Sequence, residues 1–162
     1  MSIMPQTPMT KPNGAWILVL YRTHCFRPVL LTQQTVGDLV MIIGNPEKAR
    51  EYFAAKMAFT VGPFELKGML DRKENIVVVD VRSPEDFAKS HIPGAINLPS
   101  GTWHRAQGLL KDRLHVLYCY SQTCHLAAAA AFELASQGYR VMEMDGGFAA
   151  WTSGKFPVEG LR

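Results

Sequence analysis

The run Ile76-Val77-Val78-Val79-Asp80-Val81 constrains the fold of this chain more than any other segment. A continuous β-branched stretch bounded by polar residues has no solvent face, so it reads as a central strand buried on both sides of a sheet. Leu114-His115-Val116-Leu117-Tyr118-Cys119 reads as a second such strand and Arg140-Val141-Met142-Glu143-Met144 as a further one. Burial on both faces demands helices above and below, and the intervening segments supply them. Pro46-Glu47 opens a helical pattern over residues 46–57, with proline early and an acid in the first turn, both favourable there. Phe59-Thr60-Val61 is a short strand, which Gly62-Pro63 turns into a helix over residues 64–71. Ser83 at N-cap and Pro84 at N1 start a short helix to Ser90. Residues 95–99 form a short strand stopped by proline, 103–110 a helix, and 125–137 a helix stopped by Gly138. Strands alternating with helices imply right-handed crossovers and a mainly parallel sheet, an α/β fold.

Length and charge narrow the class. A chain of 162 residues with 48% hydrophobic content holds one sizeable core and is too short for two ordinary domains. The net charge of +3 is small and nowhere concentrated, which excludes nucleic acid as a partner. Three cysteines are a poor disulfide framework and suit a reducing compartment, so the expected location is the cytoplasm. The apolar stretch 15–21 ends at Arg22, far short of the roughly twenty residues that cross a bilayer, so no membrane association is expected. It also makes a weak signal peptide, since only Lys11 precedes it and no small-residue cleavage site follows. Composition shifts near residue 44: residues 1–43 carry only Lys11, Arg22, Arg27 and Asp38 as charged side chains. The chain therefore divides into an N-terminal extension, 1–43, and a domain, 44–162. The apolar runs 16–21 and 36–43 make the extension either an appendage packed on the domain or a partner-binding or homodimerising arm, and Met41 is an alternative start.

The chemically sharpest segment is Cys119-Tyr120-Ser121-Gln122-Thr123-Cys124-His125, between a buried strand and an alanine-rich helix. Ligands of open α/β sheets bind beyond the carboxyl ends of strands, where Cys119 falls. Unpaired amides and the helix dipole at such a loop are expected to lower the pKa of Cys119 and make it nucleophilic. The competing reading is a small buried hydrophobe.

From about residue 47 to 157 the chain resembles the rhodanese-like sulfurtransferase family. The resemblance rests on Asp80-Val81-Arg82 with Glu85-Asp86-Phe87, on His91-Ile92-Pro93-Gly94-Ala95-Ile96-Asn97-Leu98-Pro99, on Tyr118-Cys119, and on Asp145-Gly146-Gly147-Phe148-Ala149-Ala150-Trp151. It implies a three-layer α/β/α domain with a five-stranded, mostly parallel sheet. It further implies that Cys119 is the catalytic cysteine, carrying sulfane sulfur as a persulfide, and that the amides of Tyr120, Ser121, Gln122, Thr123 and Cys124 cradle that sulfur. The partners it implies are a small sulfur donor, persulfide or thiosulfate, and a thiol acceptor, small or protein; no cofactor is implied. The supporting residues read mainly as structural. Arg82 is expected to pair with Glu85 or Asp86 at the helix entrance, Asp80 to accept loop hydrogen bonds, His91 to be a hydrogen-bonded turn residue, Gly146-Gly147 to make a tight turn, and Trp151 to anchor the core.

Departures from the family pattern bear on the donor. Gln122 and Cys124 stand where many members have glycine and a basic residue, so the cation that holds the sulfonate of thiosulfate is missing, and His125 replaces it only in part. A thiol-based or other uncharged donor fits the loop better. Cys124 could also attack a Cys119 persulfide, although a cradle that points amides inward and side chains outward disfavours a bridge. A metal site of Cys119, Cys124 and His125 lacks a fourth ligand. Rival functions are a silent partner-binding module of the same fold, and a cysteine phosphatase or arsenate reductase, which would need an arginine where His125 stands.

Overall fold

The computed structural model describes residues 45–161. The extension 1–43, with its arm, homodimer and Met41-start readings, lies outside the described residues. The described residues fall into two units that part between Phe53 and Ala54.

Of the first unit the described part opens helix α1, Pro46–Phe59. Asn45 starts it, its Oδ1 accepting the amides of Glu47 at 2.9 Å and Lys48 at 3.2 Å. Exposed pairs Lys48–Glu51 and Glu47–Arg50 run along this turn.

The second unit is built on five strands: β1 Thr60–Val61, β2 Ile76–Asp80, β3 Ile96–Asn97, β4 Leu114–Tyr118 and β5 Arg140–Met144. All pair in parallel, in the order β1-β5-β4-β2-β3. The two apolar runs singled out in the sequence are thus neighbours near the middle of the sheet, in register from Ile76↔Leu114 to Asp80↔Tyr118. Helices α2 Pro63–Asp71, α3 Pro84–Lys89, α4 Leu126–Ser136 and α5 Gly147–Ser153 cover it. Strand alternation divides the core in two. Val79, Val81, Leu117 and Cys119 pack with Ala127, Ala130 and Leu134 of α4 on one face. Val78, Val116, Tyr118 and Met144 pack with Leu66 of α2 and Trp151 of α5 on the other.

Local chemistry sets the ends of these elements. Ser83 Oγ accepts the Asp86 amide at 3.2 Å with Pro84 at N1, as its sequence pattern requires. Glu65 reaches back to the Gly62 amide at 2.8 Å to start α2. Two expected elements are shorter than their patterns. The helix over 103–110 is a single 3-10 turn, Trp103–Arg105, because Ala106 and Gly108 are left-handed (φ 43° and 83°) and Trp103 Nε1 is anchored on the Leu98 carbonyl at 2.9 Å. The strand over 95–99 is reduced to Ile96–Asn97, since the Ala95 amide closes a turn onto the Ile92 carbonyl and Pro99 has no amide to pair. Among the described residues no helix is long and apolar enough to cross a membrane.

Candidate active site

Cys119 follows directly on β4, at the carboxyl edge of the sheet, and its side chain is 2% exposed. The chain then loops over it. Tyr120 is held by its hydroxyl, which donates to Asp86 Oδ2 at 2.8 Å and accepts the Ser83 amide at 3.3 Å, so one end of the loop is tied to the start of α3. The Cys124 amide donates to the Ser121 carbonyl at 3.1 Å, closing a turn at the other end. From below, the amides of Phe148 and Ala149 in α5 donate to the carbonyls of Cys119 and Tyr120 at 2.8 and 3.0 Å. Gly147 makes that approach feasible: a Cβ there would lie 2.7 Å from both the Cys119 oxygen and the Ser121 nitrogen, and its φ is +58°. The Gly146-Gly147 pair is a left-handed turn, as expected, and it is also the floor of the loop. Gln122, Thr123 and His125 are exposed, His125 at the N-cap of α4.

The electrostatics of the thiol oppose the sequence expectation. Burial first, and then the side chain of Cys124 beside it, push the Cys119 thiol up to about 11. Backbone hydrogen bonding from Ala127 and Ser121 acts in the lowering direction and is outweighed. The thiol is protonated and donates to the carbonyls of Cys124 at 3.0 Å and Ser121 at 3.7 Å. The loop therefore offers acceptors as well as amides. Desolvation outweighs the helix dipole and the loop amides when the sulfur is this deeply covered.

The supporting residues are arranged differently from their expected pairings. Arg82 does not pair with Glu85 or Asp86 and is not at the surface. It is 4% exposed, with Nη2 2.6 Å from Asp80 Oδ2 and 2.7 Å from the Ser90 carbonyl, and its guanidinium lies 3.9 Å from the centre of the Phe148 ring. Asp86 is engaged by Tyr120, Ser83 and Lys89 instead. Asp80, fully buried, takes no hydrogen bond from residues 120–124; it accepts from Arg82 and from the Tyr118 hydroxyl at 2.6 Å. Burial pulls the Arg82 pKa down, but Asp80 outweighs it and the net direction is up, so the ion pair stays charged. Tyr118 also accepts the Ile92 amide at 3.2 Å, linking β4 to the turn after α3. Sequence reading missed Tyr118 as this hub, although strand alternation places it on the opposite face from Cys119 beside Asp80. His91 is hydrogen-bonded, as expected, but sits in a β-bridge just ahead of the Pro93-Gly94 turn and not in the turn itself: Nδ1 lies 2.8 Å from the Phe87 carbonyl, the ring stacks on Phe87, and an antiparallel bridge joins its backbone to Glu159. Trp151 is 1% exposed, its Nε1 donating to the Pro157 carbonyl. Glu143 on β5 also went unnoticed in the sequence. Its carboxyl is pushed up by burial first and by Asp145, against the opposite pull of His125 and Lys56. Among the described residues no group of three or more His, Cys, Asp or Glu side chains is placed to hold a metal, Cys119, Cys124 and His125 included.

A parallel five-stranded sheet, a cysteine at the end of a central strand and a short loop seated on a Gly-Gly turn define a class of domain. Residues 63–154 match the rhodanese-like domain, and the chain belongs to that family. It is 42% identical over 90 residues to a thiosulfate sulfurtransferase, GlpE, of Pseudomonas fluorescens, a match covering 54% of this chain and 80% of that one. It is 35% identical over 94 residues to an HTH-type transcriptional regulator of Mycobacterium tuberculosis, covering 56% of this chain and 42% of the regulator. Among solved structures it is similar to the BH2092 protein from Bacillus halodurans, with TM-score 0.65, 32% identity, and coverage of 72% of this chain and 87% of that one. Sulfurtransferases thus stand among its relatives.

Proposed function

We propose that the chain is a sulfurtransferase that takes up sulfane sulfur on Cys119 as a persulfide and passes it to a thiol or another nucleophile, small or on a protein. The observation that carries this reading is the seat of Cys119, at the end of β4 under a loop pinned by Tyr120, Cys124 and the α5 amides. Likeness to a relative named a thiosulfate sulfurtransferase supports the reaction class. The donor is a separate matter. Neither Gln122 nor Cys124 carries a charge that could hold a sulfonate, and a thiol raised to about 11 draws no benefit from an anionic donor beside it. A low-molecular-weight or protein persulfide is the donor class that fits.

The same raised thiol favours a second reading, a silent module of this fold that only binds a partner. Steady-state transfer to cyanide separates the two. Under the first reading thiocyanate forms faster from a glutathione-type persulfide than from thiosulfate, and Cys119→Ser abolishes the reaction. Rates for Cys119→Ser equal to wild type would leave the silent module standing.

A further inference from the structure

The chemistry assigned to Cys119 leaves Cys124 without a role. Its side chain does not point outward, as a simple cradle would have it. It is half-buried and packs on the core cluster that contains Cys119. The turn closed by its amide onto Ser121 brings its carbonyl to 3.0 Å from Cys119 Sγ. The Cys124 side chain lies near enough to act on the Cys119 thiol, in the direction that raises it. No other described cysteine accompanies them. A buried thiol gains little from a second thiol beside it as packing alone, since alanine or serine would fill the same space. What the second sulfur adds is redox chemistry.

We propose that Cys124 is a resolving thiol, so that the loop reduces sulfane sulfur to sulfide and is left as a Cys119–Cys124 disulfide. The proposal rests on the persulfide reading of Cys119. In the first step Cys119 loses its proton to solvent and its thiolate attacks the outer sulfur of a persulfide R–S–SH. The donor's S–S bond breaks, and the thiol R–SH departs after taking a proton. In the second step Cys124, deprotonated to solvent, attacks Cys119 Sγ. The Cys119 bond to the outer sulfur breaks, a Cys119–Cys124 bond forms, and hydrosulfide leaves with the electron pair. The sulfane sulfur is reduced by two electrons and the two thiols are oxidised by two. A dithiol, or two equivalents of a monothiol, restores the loop by exchange. Acceptor thiols that reach the persulfide first divert the sulfur into transfer, so the balance between transfer and sulfide release is set by acceptor concentration.

The test uses the full chain, reduced, freed of reductant and treated anaerobically with one equivalent of glutathione persulfide. Sulfide is trapped and counted, and the intact mass is read without reduction. Wild type is expected to release one sulfide per chain and to end two hydrogens lighter, with peptide mapping placing the bridge between Cys119 and Cys124. Cys124→Ser is expected to keep the added sulfur atom and to release sulfide at least about tenfold more slowly. Sulfide release by Cys124→Ser at the wild-type rate, a wild type that stays persulfidated, or a bridge that involves Cys25 would overturn the proposal while leaving Cys119 as carrier. Sulfur loading on Cys119→Ser, or no loading on any form, would instead overturn the carrier reading beneath it.

Discussion

Desolvation sets the resting state of Cys119, and it makes a prediction opposite to the one that motif and helix dipole suggest. With the thiol raised to about 11, the reactive thiolate is a minor species at neutral pH. Sulfur uptake by Cys119 is expected to rise with pH by about tenfold per unit through the neutral range. A rate that is flat above pH 7 would show a thiol lowered by its amides after all. Stability carries the matching sign. An unfolded thiol ionises near 9.0 while the folded one resists to about 11, so the folded state loses stability as pH rises across that window. Cys124 gives a second prediction. Cys124→Arg restores a cation at the end of the loop, and thiosulfate:cyanide transfer should improve by up to about tenfold, chiefly through KM, because the guanidinium binds the sulfonate in the ground state. Unchanged KM in a folded Cys124→Arg protein would refute the account of the donor.

The loop takes its shape from elements far from it in sequence, and this is where sequence reading ran short. The strand pair β2 and β4, the Ser83-Pro84 cap and the Cys119 turn were legible, because period, β-branching and capping chemistry are local signals. The partner of Arg82 was not. Glu85 and Asp86 are also within a few residues of Arg82, and only the register Asp80↔Tyr118 shows that Asp80 sits in the low-dielectric interior where a paired cation is required. The 3-10 turn at Trp103 was hidden for a similar reason, since nothing local marks Ala106 as left-handed. Gly147 was legible as a turn but not as the floor of the active loop, a tertiary contact. Gly147→Ala sets a methyl group against the Cys119 oxygen and the Ser121 nitrogen at a positive φ. It should destabilise the domain by about 1–3 kcal/mol and slow sulfur loading, read by thermal melting and by loading kinetics. A variant with wild-type stability and loading would mean that α5 does not seat the loop.

Burial also determines how the folded domain as a whole responds to acid. His115 on β4 is fully buried, its Nδ1 3.0 Å from the Arg140 carbonyl and its Nε2 without a partner among the described residues. Desolvation lowers its pKa from 6.5, with the Arg140 carbonyl acting the other way. Below pH 6.5 the unfolded chain therefore binds a proton that the folded chain refuses, and stability falls as the pH falls. His115→Phe should lose less melting temperature than wild type between pH 7 and pH 5, and an equal loss would assign the acid response to other groups. At the centre of the folded domain stands the proposed sulfur carrier, Cys119 Sγ. The most direct test is the intact mass of Cys124→Ser after a glutathione-type persulfide, in a form without the Cys124 thiol to discharge the load, set beside the double variant that also carries Cys119→Ser. The account predicts one added sulfur atom on the first protein, removed by cyanide, and none on the second. Equal loading on both would contradict it.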